Sequence, residues 1–146
     1  MAIYGAGSNW DGDEMKDEFF QQDKFEIGWN YESARDLYHA ISGLKVGDIV
    51  YLKSNQSGSR SIRVKGIGVV TGTLADCLIT KGMMEETAEE PMRKYVKVWW
   101  ILKDEFHIHI PETEGKLTNV RAATFYEEYL PYVQKAIINR LFPIES

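Results

Sequence analysis

Apolar and polar residues alternate most clearly in the middle of the chain, where the pattern predicts the strands of a sheet. Residues 49–53 and 61–70 are rich in β-branched side chains and flank a polar loop that contains glycine and serine, which predicts a hairpin. Residues 94–102 predict another strand, and the alternation F-H-I-H-I at residues 106–110 predicts one more after it. A short apolar run at residues 2–6 predicts the first strand of the chain.

Helices are predicted where apolar residues recur every three or four positions. Residues 11–22 and 33–41 each place an apolar stripe on one helical face. Residues 25–29, between these two helices, predict a short strand. Residues 122–141 predict helix in two parts, the second beginning near Pro131, because proline suits the first turn of a helix.

This order of about five strands and three or four helices predicts an α+β fold. A small mixed β-sheet pseudo-barrel with helices packed around it accommodates that order. Gly66 and Gly68 lie two apart on a predicted strand, where glycine permits the sharp bend or close backbone approach that a small barrel needs. The chain has 146 residues, of which 44% are hydrophobic, and this suits a single domain over residues 1–146.

Charge is distributed unevenly along the chain, and this changes the partners that are expected. The net charge of −5 argues against a protein that coats DNA non-specifically. No acidic residue lies between Asp48 and Asp76, however, and four cations in this window give the predicted hairpin a local positive field. These cations are Lys53, Arg60, Arg63 and Lys65. Ordinary solvated charges on a sheet hairpin explain the same window, so both interpretations stay open.

Sequence motifs for redox, metal and nucleotide chemistry are missing. The single Cys77 forms no internal disulfide and no cysteine zinc site, which favours the reducing cytoplasm. The sequence has no secretory signal, no apolar stretch of the ~20 residues that cross a bilayer, and no phosphate-loop, dinucleotide or hydrolase-nucleophile motif. We therefore predict a cytoplasmic protein with no membrane contact, cofactor, metal or catalytic residue.

Two tryptophans lie at or just after the ends of predicted strands, beside small residues, and are the candidates for a ligand site. Trp10 comes after G-A-G-S-N, and Trp29 comes after I-G. Tryptophans at loop edges can sandwich a planar ring, with Ser8, Asn9 and Asn30 as the neighbouring residues that would read its edge. The alternative is that both indoles cap the hydrophobic core.

Several short motifs occur in an order that resembles a known family. They are N-W at Asn9 and Trp10, I-G-W at residues 27–29, G-D-I-V-Y-L-K-S at residues 47–54 and K-G-I-G-V-V-T-G at residues 65–72. This succession resembles EVE domains, which belong to the PUA-like group with the YTH and ASCH domains. The resemblance covers about two-thirds of the chain. The first strand departs from it, because A-I-Y-G-A-G stands where EVE domains have aromatic residues.

The resemblance implies both a fold and a site. PUA-like domains are small pseudo-barrels with helices around the rim, and EVE and YTH members bind a nucleobase, often a modified one, in an aromatic pocket. By that analogy Trp10 and Trp29 are pocket walls, and Tyr51, Lys53 and Ser54 line the pocket. The residues that would hold phosphates are Arg60, Arg63 and Lys65.

A polar segment before the last predicted helix adds one more candidate. In L-T-N-V-R, Arg121 is a further predicted phosphate ligand. Thr118 or Asn119 would instead cap the helix that follows, and this structural role is favoured for the segment.

Three functions compete at this point, and a non-enzymatic role is favoured. The first is a binding module for nucleic acid or a free nucleotide, including a reader of a modified base. The second is a ribonuclease similar to some ASCH proteins, in which Lys53, Tyr51 and Arg63 stabilise charge on a phosphate, although no general base is identifiable. The third is a protein-interaction module without a small ligand, built on the acidic residues 85–90 and the helix from Ala122. Homo-oligomers are left open.

Overall fold

The computed structural model describes residues 1–29, 32–55, 58–80, 94–115 and 123–143. Within these ranges the chain forms the strands β1 (Ile3–Gly7), β2 (Asn9–Trp10), β3 (Asp13–Glu14), β4 (Lys24–Glu26), β5 (Ile49–Ser54), β6 (Ser61–Gly72), β7 (Tyr95–Leu102), β8 (Phe106–His109) and β9 (Phe125–Glu127). The helices in the same ranges are α1 (Lys16–Gln22), α2 (Arg35–Ser42), α3 (Leu74–Thr80) and α4 (Pro131–Leu141), and Glu112–Glu114 forms a short 3₁₀ turn.

A curled, half-barrel sheet forms the centre of the fold, with the helices packed around it. Six strands follow the order β4–β7–β6–β5–β1–β9, and β8 pairs with the first part of β6. The sheet is mixed because β1 and β5 run parallel, whereas the hairpin of β5 and β6 is antiparallel. The α+β prediction of a small mixed sheet with helices around it is confirmed.

Strand β6 pairs irregularly with its neighbours near the glycines that the sequence marks. The ladder to β7 shifts register beside Gly68, and a Cβ atom at this position would clash with Val98. A Cβ atom at Gly66 would lie 2.6 Å from the ring of Phe20 on α1. Both glycines therefore allow a close approach that a larger residue would block, as the sequence predicts.

Strand β5 separates two hydrophobic cores. Its side chains alternate between the faces of the sheet, so Val50 lies in the core beneath α1 and α2, and Ile49 lies in the core beneath α4. Val133 and Ile137 on α4 are both fully buried in this second core. A strand covered on both faces reads as a continuous apolar run, which is the I-V-Y-L pattern of β5.

Several predicted boundaries are wrong, and one helix is missed. Residues 11–22 are predicted as one helix, but residues 9–14 form the β2–β3 ribbon and α1 begins at Lys16. Residues 122–141 are predicted as helix in two parts; α4 does begin at Pro131, whereas Phe125–Glu127 is a strand. That strand forms because it pairs with β1, a contact that no local pattern announces.

The remaining differences between predicted and observed elements are small, and one predicted segment lies outside the described residues. The strand predicted at residues 25–29 is the shorter Lys24–Glu26, and the missed α3 begins after a reciprocal cap between Thr73 and Asp76. The acidic segment at residues 85–90 lies outside the described residues. No helix in the described ranges is long and apolar enough to cross a membrane. The single domain over residues 1–146 stays a prediction.

Candidate functional site

An exposed candidate for ligand binding is the indole of Trp29, between β4 and α2. This residue is 52% exposed and borders a cavity of about 460 Å³, and the other described residues that line it are 32–37. These residues lead into the first turn of α2, so one wall of the cavity is the start of a helix. The cavity is open to solvent at the surface, which makes the indole face accessible to a planar ligand.

The main chain that carries Trp29 is held from two sides. The buried Tyr38 of α2 donates a hydrogen bond from its hydroxyl to the carbonyl oxygen of Trp29 at 2.6 Å. On the other side, Gly28 lies against the ring of Trp10, where a Cβ atom would approach ring atoms to 2.6 Å. Only glycine permits this contact. The two contacts hold the main chain at this point, and the indole of Trp29 remains exposed.

Trp10, the second predicted wall, belongs to the core. Its indole is partly buried, packs against the first core and meets the ring of Phe19 edge-on at a centroid distance of 5.9 Å. The two tryptophans are neighbours through Gly28, but Trp10 does not line the cavity beside Trp29. The alternative that an indole caps the core therefore describes Trp10 and not Trp29.

Charged and polar groups surround the mouth of the Trp29 cavity. Arg35 and Glu32 form an ion pair at 2.6 Å, and their side chains are 64% and 74% exposed. Asp36 adds a second carboxylate in the first turn of α2. The cavity therefore offers hydrogen-bond donors and acceptors beside an apolar ring.

Ser8 is fully buried and belongs to a polar cluster with Glu14 and Lys65. The Ser8 hydroxyl donates to the Glu14 carboxylate at 2.5 Å, and the Lys65 ammonium donates to Glu14 at 2.6 Å and to Ser8 at 3.1 Å. Burial alone would raise the pKa of Glu14, but the hydrogen bonds from Lys65 and Ser8 outweigh it and lower that pKa. This cluster attaches the β2–β3 ribbon to β6. Asn9 stays in the same ribbon, where its side-chain oxygen accepts from the Gly12 amide at 2.7 Å.

Tyr51 lies in a second polar cluster beneath α4. Its hydroxyl donates to the Glu128 carboxylate at 2.8 Å and lies 2.7 Å from the hydroxyl of Tyr126. Tyr51 and Glu128 are 0% and 1% exposed, and burial, with the charge of Glu128, holds the pKa of Tyr51 well above its usual value. Tyr51 thus faces the second core.

Lys53 lies between these two clusters, at the end of β5. Its ammonium donates to the carbonyl of Ala123 at 2.9 Å and lies 5.2 Å from the ring centroid of Tyr126. Burial and, after it, the nearby charge of Lys65 lower the pKa of Lys53 to about 8. Its neighbour Ser54 is exposed. The buried polar region, as we call it below, comprises the buried residues Ser8, Lys65, Lys53, Tyr51, Tyr126 and Glu128, together with their partner Glu14, whose side chain is 34% exposed.

The predicted phosphate ligands already have partners within the fold. Arg63 binds the Glu105 carboxylate at 2.7 Å, and Lys16 binds the same carboxylate at 2.8 Å, so Arg63 and then Lys16 lower the pKa of Glu105 to about 2. Arg60 donates to the carbonyls of Ile110, Pro111 and Gly115. Their roles toward a ligand stay predictions. Asn30 and Arg121 lie outside the described residues.

The sequence places Trp29 correctly at a loop, but it misses the residues around it. Tyr38 and residues 32–37 belong to the predicted helix at 33–41 or directly precede it. An aromatic residue in a loop that is followed at once by the start of a helix is the sequence pattern that could have indicated these residues. Across the described ranges, no three His, Cys, Asp or Glu side chains are close enough together to hold a metal ion. No protein-family model matches this chain, and a search of the curated proteins finds no significant match. The resemblance to EVE domains therefore stays a prediction.

Proposed function

We propose that this protein is a non-enzymatic binding module that stacks the base of a nucleotide, free or within a single strand, on Trp29. The observation that supports the proposal is the indole itself, which is 52% exposed beside a cavity although its main chain is fixed on both sides. A planar base that covers such a ring removes apolar surface from water and contributes about 1–3 kcal/mol by stacking.

The polar rim of the cavity favours a heterocycle over a purely apolar ligand. Arg35 supplies N–H donors, and Glu32 and Asp36 supply carboxylate acceptors beside the stacking surface. A nucleobase carries donors and acceptors on one edge, so a rim of this kind reads that edge while the ring stacks. The net charge of −5 favours a single nucleotide or a short single strand over a long duplex. A modified base with an added methyl group would bury more apolar surface in the same cavity.

Calorimetric titration with nucleosides, nucleotides and short single strands, modified and unmodified, tests the proposal. We expect Trp29→Ala to weaken binding by roughly 5- to 150-fold, which corresponds to the loss of one stacking contact. Trp29→Phe should keep part of the affinity because a smaller aromatic face remains. Folding of each variant is checked by its thermal unfolding.

Trp99 provides the matched control. This tryptophan is 62% exposed on β7 and does not line the cavity, so Trp99→Ala should leave the affinity unchanged. Equal weakening by both variants would show that binding follows general surface hydrophobicity. If no nucleoside or strand binds at millimolar concentration, or if Trp29→Ala binds like the parent, the proposal is wrong.

The ribonuclease alternative needs Tyr51, Lys53 and Arg63 around one phosphate. In the fold, the hydroxyl of Tyr51 is bound to Glu128 in the second core, and the guanidinium of Arg63 is bound to Glu105 at the surface. No observation among the described residues favours this alternative over base stacking. Incubation of the protein with labelled RNA distinguishes them, because a reader leaves the strand intact.

A further inference from the structure

Strand β8 has one edge that no described strand covers. Its other edge pairs with β6, and just beyond it the amide of Ile110 donates to the carbonyl of Arg60 at 2.8 Å. In an antiparallel ladder, main-chain groups point alternately toward and away from the partner strand. The amides and carbonyls of His107 and His109 therefore point away from β6, toward the uncovered edge.

A groove lies between β8 and helix α4, and residues of both elements line it. The space between β8 and α4 has a volume of about 300 Å³. Tyr132, Ala136 and Arg140 are spaced four residues apart, so they share one face of α4 and line the groove together. The small side chain of Ala136 lies in the middle of this row and provides the room for another chain beside β8.

The ionisable groups of the groove favour an acidic partner. Arg140, His107 and His109 line it, and none of its lining residues within the described ranges carries a carboxylate. The Arg140 guanidinium lies 4.1 Å from the ring centroid of Phe106 and forms no ion pair with any described residue. Stacking on Phe106 holds this cation in place, and its N–H groups have no carboxylate partner among the described residues.

We propose that the groove between β8 and α4 binds an extended, acidic peptide segment of another protein as an added strand. Its main chain would pair with His107 and His109, and its carboxylates would bind Arg140. A peptide fits better than a nucleic acid, because the β8 edge presents carbonyl oxygens between its amides, and carbonyl oxygens repel phosphates. This interaction is independent of base stacking on Trp29.

A six-residue peptide with alternating valine and aspartate, blocked at both ends, is the probe. We expect it to bind the full chain in a calorimetric titration and to slow hydrogen exchange at the His107 and His109 amides by about tenfold or more, measured by NMR. Two matched peptides separate the contributions: one is N-methylated at alternate residues, and the other has lysine in place of aspartate. Both should bind at least about tenfold more weakly.

Variants of the protein locate the site. Ala136→Leu fills the groove and should abolish peptide binding, whereas Ala40→Leu, at an exposed position on α2, should not change it. Arg140→Gln should weaken peptide binding by about fivefold or more, because it removes the cation that binds the carboxylates. This variant tests the proposal even if Ala136→Leu does not fold.

Four results would overturn the proposal. They are the absence of binding at millimolar peptide, equal binding of the N-methylated peptide, protection at amides other than those of β8, and an unchanged affinity in Arg140→Gln. If an oligothymidine strand protects the same amides, the occupant is a nucleic acid instead. If the protein forms a dimer that Ala136→Leu dissociates, the occupant is a second copy of the chain.

Discussion

The Trp29 cavity and the buried polar region contain residues that the sequence assigns to one ligand site, yet the fold treats them differently. Trp29 is 52% exposed, whereas Ser8, Lys53 and Lys65 are 0%, 7% and 4% exposed. A buried polar group must find partners inside the protein, because water no longer solvates it. Ser8 and the two lysines have such partners, and the indole of Trp29 has an apolar face left in water.

Burial therefore separates the expected consequences of substitution. Changes within the buried polar region should lower the free energy of unfolding and leave nucleoside affinity almost unaltered. A change at Trp29 should weaken nucleoside binding and leave the free energy of unfolding almost unaltered. The following predictions test this division, from the largest expected effect to the smallest.

Gly5→Ala should cause the largest loss of stability. A Cβ atom at Gly5 would lie 2.5 Å from the Tyr126 ring and 2.9 Å from the Tyr51 ring, both of which are buried. The rings would have to move, and the hydrogen bonds of the Tyr51 hydroxyl with Glu128 and Tyr126 would be disturbed, so we expect a loss of about 3 kcal/mol in the free energy of unfolding. Urea denaturation measures it.

Gly7→Ala, on the same strand, is the control for Gly5→Ala. The nearest atom to a Cβ at Gly7 is 3.7 Å away, an ordinary contact, so its effect should stay below about 1 kcal/mol. If the two variants are equally stable, the tyrosine cluster is not the tightly packed feature that the contacts describe.

Local sequence patterns predict much of the fold but not its long-range pairings. The β5–β6 hairpin and the start of α4 at Pro131 follow from β-branched alternation and from proline at a first turn. The strand Phe125–Glu127 has only three residues and exists because β1 lies beside it. The residues Thr73 and Asp76, which cap α3, could have predicted the start of this helix from the sequence, whereas the hydrophobic periodicity did not.

Lys53→Met should change how stability depends on pH. The folded protein binds the Lys53 proton less tightly than the unfolded chain does, since its pKa falls from 10.5 to about 8. The unfolded state then holds more protons between these values, so the parent gains stability as pH rises through this window. Between about pH 7 and about pH 10 we expect a gain of about 2 kcal/mol relative to Lys53→Met. Denaturation curves that stay parallel across this range would contradict it.

Gly28→Ala should affect both regions of the comparison, because Gly28 connects Trp29 to the core. The new Cβ would approach the Trp10 ring to 2.6 Å. We expect a loss of about 1–2 kcal/mol in stability and weaker nucleoside binding, because the main chain beneath Trp29 would shift. Trp10→Leu in the same chain should restore part of both quantities, and a double-mutant cycle measures this coupling. Strict additivity would mean that the contact between Gly28 and Trp10 does not position Trp29.

The candidate site was predictable only as far as residue type and loop position go. The sequence identifies Trp10 and Trp29 as equivalent, because each lies at or just after the end of a predicted strand and follows small residues. Their difference arises when Gly28 packs on the ring of Trp10, a contact between separate elements. Lys65 likewise reads as a solvated cation until the β2–β3 ribbon brings Glu14 to it.

Glu105→Gln should have the smallest effect on stability. Arg63 and Lys16 lower the pKa of Glu105 to about 2, so its contribution is present above its usual value of 4.5 and is lost as pH falls from there toward 2. Its side chain and that of Arg63 are 32% and 48% exposed, and water and salt screen the pair. The unfolding temperature of Glu105→Gln at neutral pH should therefore be close to that of the parent, and at high ionic strength the two should be indistinguishable. Below pH 4.5 the variant should lose less stability than the parent, because it lacks the carboxylate that becomes protonated there. If this exposed pair proved as important to stability as Gly5, burial would not be what divides the two regions, and the stability argument for leaving Lys53 and Lys65 out of the ligand site would fail.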